Sequence, residues 1–374
     1  MADSTKGLAG VTAADTALSY IDGDKGRLMY RGYDIHALAG KGSFAESLYL
    51  LWNGELPTEP QLIIFQGMLA KERMLPDALV QVLRHLPDGS PPMAVLRTAI
   101  SVLGHLDREA EDNSPEADQR KAARIVAMLP VVVAALHRLR RGEDPIEPDH
   151  SLSMAADFLR MLTGETPDPT AVEALDVTLL LYLDHGLNAS TFACRVVAST
   201  LATMHAALTA GVAALSGPLH GGANEQAMRM LEEIGSVDNV DAYLDEALAA
   251  KKKIMGFGHR VYRTEDPRAT HLRRMAEELG ESTGDPQWFE RSRAVEQAMW
   301  DKKQIYSNVD FYCATVFRSL GIPRDLYTPM FAIGRAGGWA AHVMEQHADN
   351  RLIRPRANYT GEMDRPYILI ERRG

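Results

Sequence analysis

The sequence Ser216-Gly-Pro-Leu-His-Gly-Gly222 separates long apolar helical patterns from the shorter, more charged ones that follow it. Its glycines and proline interrupt helix formation and leave little side-chain bulk around His220. Two further motifs follow, Lys253-Ile-Met-Gly-Phe-Gly-His259 and Ser307-Asn-Val-Asp310. The segment 216–310 therefore predicts two histidines in glycine-rich turns and one aspartate at a helix start.

The chain on either side of this segment is typical of a mainly α-helical protein. Residues 16–32 predict a short β-hairpin around the turn Asp22-Gly-Asp24. Helical patterns follow to about Gln346, and the capping boxes Ser43-Phe-Ala-Glu46 and Thr58-Glu-Pro-Gln61 mark two helix starts. Because strands and helices do not alternate, a doubly wound parallel sheet is excluded.

Three segments have an unusual composition. Residues 107–118 are rich in charged side chains and predict a mobile loop. Residues 188–215 consist largely of Ala, Ser, Thr and Val, which predicts a closely packed helix in the core or at a subunit interface. After Asn350, arginines and prolines predict an extended arm.

Composition and charge limit the classes of partner. The 374 residues exceed what one core of about 250–300 residues supports, so we expect two domains. A net charge of −10 and a pI of about 5.7 argue against nucleic acid as the main partner. An apolar run of about 18 residues without charges is missing from the sequence, so no membrane span is expected. The first residues have no apolar signal core, and Cys194 and Cys313 predict buried free thiols; we therefore expect a cytoplasmic protein.

His220 and His259 are the candidate catalytic groups of the first two motifs. A helix N-terminus lowers the pKa of a histidine, and the neutral ring can donate a hydrogen bond to a carbonyl that becomes an enolate. The lysines and arginines around His259 would attract phosphates or carboxylates. Each histidine taken singly also fits a structural role in a turn, and the run 251–253 fits a solvated basic loop.

Asp310, His185 and several arginines complete the candidate set. Asp310 fits a helix N-terminal acid as well as a catalytic base. His185 can be an oriented donor because the carboxylate of Asp184 beside it would fix its tautomer. The planar guanidinium group suits bidentate binding of carboxylates. The candidate arginines near proline or glycine turns are Arg268, Arg335 and Arg354. Taken singly, each arginine also fits a surface ion pair.

Other kinds of site have weaker support. Gly280-Glu-Ser-Thr-Gly284 matches the nucleophile elbow of esterases, but a charged helical pattern precedes it instead of a strand. The spacing of Gly256 and Gly258 lacks the strand and third glycine of a dinucleotide site. The twelve histidines include no metal-ligand motif, so no metal is expected. A non-catalytic protein that binds acyl-CoA or carboxylates stays open on these residues alone.

Taken together and in order, the motifs resemble the citrate synthase family across essentially the whole chain. The motifs that carry the resemblance are Gly217-Pro-Leu-His-Gly221, Gly256-Phe-Gly-His-Arg-Val-Tyr262, Asp266-Pro-Arg268, Asn308-Val-Asp310, Arg354-Pro-Arg356 and Tyr30-Arg-Gly-Tyr33. The resemblance implies a helical large domain, 1–217 with 322–374, and a small mobile domain, 218–321, around a cleft. It also implies a homodimer.

The resemblance further implies the reaction and the role of each residue. Acetyl-CoA and oxaloacetate would give citrate and free coenzyme A, with no tightly bound cofactor. Asp310 would be the base, His220 the donor to the thioester oxygen and His259 the donor to the oxaloacetate carbonyl. The substrate ligands would be His185, Arg268, Arg335 and Arg354, with Arg354 reaching the partner subunit's site. The coenzyme A contacts would be Lys253, Ile254, Gly256, Phe257, Gly258, Arg260 and Arg263. A 2-methylcitrate synthase acting on propionyl-CoA is the nearest alternative, and Arg260 directly after His259 favours citrate synthase by resemblance.

Overall fold

The computed structural model describes residues 6–8 and 10–373. Within them the chain forms sixteen α-helices and one small antiparallel sheet, which confirms the prediction of a mainly α-helical fold. The helices are α1 (Ile35–Lys41), α2 (Phe44–Asn53), α3 (Glu59–Lys71), α4 (Asp77–His85), α5 (Pro92–Leu106), α6 (Pro115–Arg140), α7 (Met154–Thr163), α8 (Pro169–Tyr182), α9 (Ala189–Ala198), α10 (Met204–Leu215), α11 (Ala223–Ile234), α12 (Val240–Ala249), α13 (Pro267–Thr283), α14 (Gln287–Lys303), α15 (Val309–Ser319) and α16 (Tyr327–Ala348).

The sheet near the N-terminus has three strands, one more than predicted. β1 (Ser19–Asp22) pairs with β2 (Arg27–Tyr30), and β3 (Tyr33–Asp34) returns along the other edge of β2. The central strand buries Tyr30 completely, and the Tyr30 hydroxyl donates to the carbonyl of Asp184 at 3.0 Å. The hairpin is thereby tied to the turn after α8.

Local sequence signals account for many helix starts. At α2 the Ser43 amide donates to Glu46 Oε2 at 2.9 Å, and the Glu46 amide donates to Ser43 Oγ at 3.2 Å, which is the predicted capping box. Gly54 ends α2 with a φ of 90°, a left-handed conformation that glycine adopts at little cost. Helix α1 was not predicted, because it is short and directly follows the strands.

The prediction of one helix across 188–215 is wrong. The chain forms α9 and α10, and the connection between them uses side-chain oxygens. The hydroxyl of Thr200 donates to the carbonyl of Val197 at 2.7 Å, and the hydroxyl of Thr203 caps α10. Serine and threonine compete in this way with the helix backbone. The small residues do allow close packing, since a Cβ on Gly211 would lie 2.5 Å from Cys194 Sγ.

The charged loop predicted at 107–118 is shorter in the structure, and ion pairs tie it to the next helix. Helix α6 begins at Pro115, and its Arg124 pairs with Asp107 at 2.7 Å and with Glu109 at 2.6 Å. Pro130 lies inside α6 and does not end it. This helix is long and apolar enough to cross a membrane, but 78% of its most apolar window is buried inside the molecule.

Helix α16 lies at the centre of the packing around the site. Glycines along it permit other elements to approach its backbone. A Cβ on Gly334 would lie 2.7 Å from Tyr182 Cβ, and a Cβ on Gly338 would lie 2.0 Å from the carbonyl oxygen of Leu183. The end of α8 and the turn that follows it therefore rest directly on α16. The division into domains at 217 and 321 stays a prediction.

Candidate active site

A cavity of about 740 Å³ brings together residues that are far apart in the sequence. Among the predicted residues it is lined by His185, His220, His259, Arg260, Arg268, Asp310 and Arg335. All three candidate catalytic groups thus face one space, although 90 positions separate the first of them from the last.

The His220 ring is oriented by Ser190 at the start of α9. The Ser190 amide donates to His220 Nε2 at 3.2 Å, and the Ser190 hydroxyl lies 2.7 Å from the same nitrogen. Because Nε2 accepts, the neutral ring carries its proton on Nδ1. Burial, and after it the charge of Arg335, lower the pKa of His220 to about 4. The ring is therefore a neutral donor near pH 7, as predicted, with burial as the main cause of the lowered pKa.

The neutral His259 ring is the other tautomer, in which Nδ1 is the acceptor. Its Nδ1 accepts from the amides of Val261 at 3.0 Å and Tyr262 at 3.1 Å. The proton of the neutral ring is therefore on Nε2. Burial, and after it Arg268, lower the pKa of His259 to about 4.

Asp310 stands in the first turn of α15, after the Asn308 side chain that caps the helix. Burial raises the pKa of Asp310 to about 6, and the nearby Arg268 and Arg335 only partly oppose this shift. A carboxylate with a raised pKa is a stronger base that is still ionised at neutral pH. Within the described residues, the carboxylate accepts no hydrogen bond, so it is available to a ligand.

Two buried arginines supply positive charge to the cavity. Arg268 is 2% exposed and forms a bidentate pair with Asp266, at 2.7 Å and 2.9 Å. Burial disfavours its charge, but Asp266 raises the pKa of Arg268. Arg335 on α16 is 1% exposed, and its Nε donates to the carbonyl of Tyr182 at 2.5 Å. An anionic ligand would be held by these two groups in spite of the negative net charge of the chain.

His185 lies in the turn between α8 and α9. Its Nε2 is 3.1 Å from the hydroxyl of Tyr262, and its ring centroid is 5.3 Å from that of His259. Burial, followed by Arg268, His259 and Arg335, lowers the pKa of His185 well below its ordinary value. The ring is therefore neutral and can serve as a hydrogen-bond partner.

The remaining predicted ligands lie outside this cavity. Arg354 is exposed in the C-terminal segment. Of the predicted coenzyme A contacts, only Arg260 lines the cavity. The others lie in the adjoining loop, where Lys253 is exposed and Phe257 packs on Phe311 with ring centroids 4.7 Å apart. Their role stays a prediction.

The loop that carries His259 rests on the tip of the N-terminal hairpin. The Arg263 amide donates to the carbonyl of Gly23 at 2.9 Å, and Arg263 Nε is 3.1 Å from Asp24 Oδ1. A Cβ on Gly23 would lie 2.2 Å from the carbonyl oxygen of Val261, so a larger residue does not fit. No local sequence signal links the hairpin to this loop, because the two are more than 200 residues apart in the chain.

Several supporting residues were also missed. The Tyr262 ring contacts the rings of both His185 and His259, with centroids 5.5 Å and 4.7 Å away. His342 is buried on α16 and reaches the carboxylate of Asp184. Its spacing of seven residues from Arg335 was a usable signal, because positions seven apart share one face of a helix. The rejected elbow at 280–284 lies at the end of α13, so the strand that an esterase nucleophile requires does not precede it.

Comparison with known proteins gives consistent matches across the chain. The family model described as "Citrate synthase, C-terminal domain" matches residues 7–356. The citrate synthase of Haloferax volcanii is 48% identical, with 98% of both chains covered. Citrate synthase 2 of Bacillus subtilis is 47% identical, with 99% of both covered. A 2-methylcitrate synthase of Shewanella oneidensis is 41% identical over 100% of both.

Solved structures agree in fold. The citrate synthase of Pyrobaculum aerophilum has a TM-score of 0.92 and 39% identity, with 98% of this chain and 95% of that chain covered. The citrate synthase of Thermoplasma acidophilum has a TM-score of 0.92 and 34% identity, with 99% and 100% covered. That structure is a ternary complex with carboxymethyl coenzyme A and oxaloacetate.

Proposed function

The chain belongs to the citrate synthase family, and we propose that it condenses acetyl-CoA with oxaloacetate and hydrolyses the resulting thioester to citrate and coenzyme A. The observation that carries the proposal is the single cavity that joins Asp310, His220 and His259 with two buried arginines. These groups supply a base, two oriented donors and positive charge for a polycarboxylate.

The first step in this proposal is removal of a proton from the methyl group of acetyl-CoA. Asp310 takes that proton, and its raised pKa makes it a stronger base than an ordinary carboxylate. The negative charge moves to the thioester oxygen, where Nδ1–H of His220 donates a hydrogen bond. The orientation of His220 by Ser190 supports this role, because it leaves Nδ1 as the donor.

The second step joins the two substrates. The enol carbon attacks the carbonyl carbon of oxaloacetate, and Nε2–H of His259 donates a hydrogen bond to the carbonyl oxygen as negative charge develops there. The proton that Asp310 removed from acetyl-CoA balances the hydroxyl of the product, and the His259 ring ends neutral. Arg268, Arg335 and His185 hold the oxaloacetate and balance its carboxylates. Water then cleaves the thioester of the condensed product, which releases coenzyme A and leaves citrate with three carboxylates.

The direct test replaces Asp310 by asparagine. The amide keeps the shape but cannot accept the methyl proton, so we expect turnover to fall by about 10²–10⁴-fold. Oxaloacetate binding, measured by calorimetry, should be retained because His185 and the arginines are unchanged. Release of coenzyme A with both substrates present measures turnover.

Asp301→Asn is the matched control, since Asp301 is an exposed aspartate on α14 that pairs with Gln297. It should leave turnover unchanged. Turnover of Asp310→Asn equal to that of the unmodified protein would refute the mechanism.

Acetyl-CoA is the proposed acyl donor, and propionyl-CoA is the alternative, since one close relative is named a 2-methylcitrate synthase. The two relatives of higher identity described above are named citrate synthases. Steady-state kinetics with both thioesters decides the question. A higher kcat/KM for propionyl-CoA would overturn the choice of acetyl-CoA.

We also propose a cytoplasmic homodimer with two domains in each chain. The C-terminal arm, residues 351–373, is exposed and carries apolar side chains such as Tyr367, at 82% exposure, and Ile370, at 65%. A second copy would cover these side chains, and Arg354 would then reach the partner's cavity. The proposed hinges at Gly217 and Gly321 would let residues 218–321 close over the substrates and exclude water.

A further inference from the structure

A line of buried polar groups lies behind the cavity wall, and the proposed mechanism does not use it. It runs from Ser19 through Asp184 and His342 to Arg195. Asp184 and His342 are 0% exposed, and Arg195 is 4% exposed. None of the four lines the cavity that the described residues form, so they act on a substrate only through other residues. Buried polar groups carry a cost that their hydrogen bonds must offset.

Hydrogen bonds determine the orientation of the His342 ring. Arginine has only donors, so Arg195 Nη1, 3.1 Å from His342 Nδ1, makes that nitrogen an acceptor. The neutral ring then has its proton on Nε2 and donates to Asp184 Oδ1 at 3.1 Å. Arg195 is itself held by Glu345 at 2.6 Å and by Gln346 at 3.0 Å.

The Asp184 carboxylate in turn holds the backbone around His185. Its Oδ2 accepts from the Ser19 hydroxyl at 2.5 Å and from the Gly186 amide at 3.1 Å. Gly186 has a φ of +57°, a left-handed conformation that makes a sharp turn. The carbonyl of Asp184 accepts from Tyr30. Both neighbours of His185 are therefore fixed, one on each side, and the ring faces the cavity.

One face of α16 supports this arrangement. Arg335, Trp339 and His342 are four and three residues apart and share that face. Arg335 lines the cavity directly, whereas Trp339 Nε1 donates to Ser190 Oγ at 3.2 Å, next to His220. The close approach at Gly338 brings the turn after α8 within reach of His342.

We propose that His342 is a positioning residue: by holding the Asp184–Gly186 turn it sets the place of His185 for oxaloacetate. The inference rests on the proposed function, in which His185 is an oxaloacetate ligand. Without the imidazole, Asp184 and Arg195 lose the group that links them, and the turn loses one of its attachments. Displacement of a binding group by about 1 Å can cost about 10²-fold in rate.

The test compares two substitutions of His342. His342→Leu removes both ring nitrogens at similar volume, and we expect the KM for oxaloacetate to rise about tenfold or more. The KM for acetyl-CoA should stay within about twofold, because that change removes no acetyl-CoA contact. His342→Gln keeps one donor for Asp184 and one acceptor for Arg195. Its KM for oxaloacetate should therefore lie much closer to that of the unmodified protein.

Val343→Ala is the control for a merely structural effect. Val343 is the next residue on α16 and is also 0% exposed. Its truncation should lower the melting temperature and leave the ratio of the two KM values unchanged. If His342→Leu does not fold, Asp184→Asn replaces it. An amide has one acceptor oxygen, so this variant loses the acceptor either for His342 or for Ser19 and Gly186, and the oxaloacetate KM should again rise selectively.

The unmodified protein is assayed first, which separates the test of the proposed function from the test of the role of His342. If it makes no citrate, the proposed function is wrong. If it makes citrate and the folded His342→Leu or Asp184→Asn variant keeps the original ratio of KM values, the inference about His342 alone is overturned. A KM for oxaloacetate in His342→Gln as high as that in His342→Leu would also contradict the positioning role of His342.

Discussion

The two walls of the cavity are built in different ways. One, here called the fixed wall, consists of the turn Asp184–Gly186 and helix α16. Its Arg335 is 1% exposed and bonded to a backbone carbonyl, and buried polar groups stand behind it. The other, here called the loop wall, is the loop of residues 251–265. Its His259, Arg260 and Val261 line the cavity, and Lys253 and Arg263 are exposed beside it.

This difference corresponds to two different demands on the site. A small substrate with several carboxylates is bound well by groups that are already in place, since no ordering is required when it arrives. A long thioester ligand is accommodated more easily by a loop whose charged side chains are exposed. The contact between Gly23 and the loop then becomes important, because it is one of the attachments that place His259 beside His185.

The largest expected effect is on the fixed wall. Arg335→Gln should raise the KM for oxaloacetate by about 10- to 100-fold, because a hydrogen bond to a charged group contributes about 1.5–3 kcal/mol. Arg260→Gln is the matched change on the loop wall, where the side chain is exposed, and it should have a smaller effect on that KM. Initial rates at varied oxaloacetate measure both. Equal effects of the two changes would remove the distinction between the walls.

The next effect is on pH dependence. Asp310 must be ionised to take a proton, and its pKa is raised to about 6. The kcat/KM for acetyl-CoA should therefore fall below pH 6, by about tenfold for each further pH unit. His220 and His259, with pKa values lowered to about 4, stay neutral through this range and add no second inflection between pH 5 and 6.

The pH profile of initial rates checks this prediction, with Asp301→Asn as a control that should keep the same profile. A profile that stays flat from pH 7 down to pH 5 would instead mean that Asp310 titrates like an ordinary aspartate of pKa about 3.9. The raised pKa that burial gives to Asp310 would then be wrong.

The smallest effect is expected at the hairpin tip. Gly23→Ala would place a Cβ 2.2 Å from the carbonyl oxygen of Val261, so the loop must shift. We expect kcat/KM to fall by up to about tenfold as His259 moves, since small displacements at a site are costly in rate. Gly40→Ala in α1 is the control, because nothing lies within 4 Å of its added Cβ. Unchanged kcat/KM for Gly23→Ala would show that the hairpin does not position the loop.

The structure confirms those predictions that depend on neighbouring residues. Capping at Ser43 and Thr58, the glycine stop at Gly54 and the hairpin near Asp22 all depend on neighbouring residues, and the structure contains each of them. The prediction of one helix at 188–215 is wrong, because side-chain hydroxyls end α9 and start α10. The end of the charged segment 107–118 is likewise predicted too late in the chain, because Ser114 caps α6 and Pro115 is its first residue.

The sequence by itself determined the helical class, the glycine turns around His220 and His259, and the set of candidate residues, because these follow from local backbone preferences and from motif order. Only the tertiary structure decided which nitrogen of each histidine donates, since that depends on Ser190 for His220 and on the amides after His259. It also decided the raised pKa of Asp310 and the support of His185 by His342, 157 positions away in the chain. Burial and hydrogen-bond partners across such distances arise from packing, which no local pattern specifies.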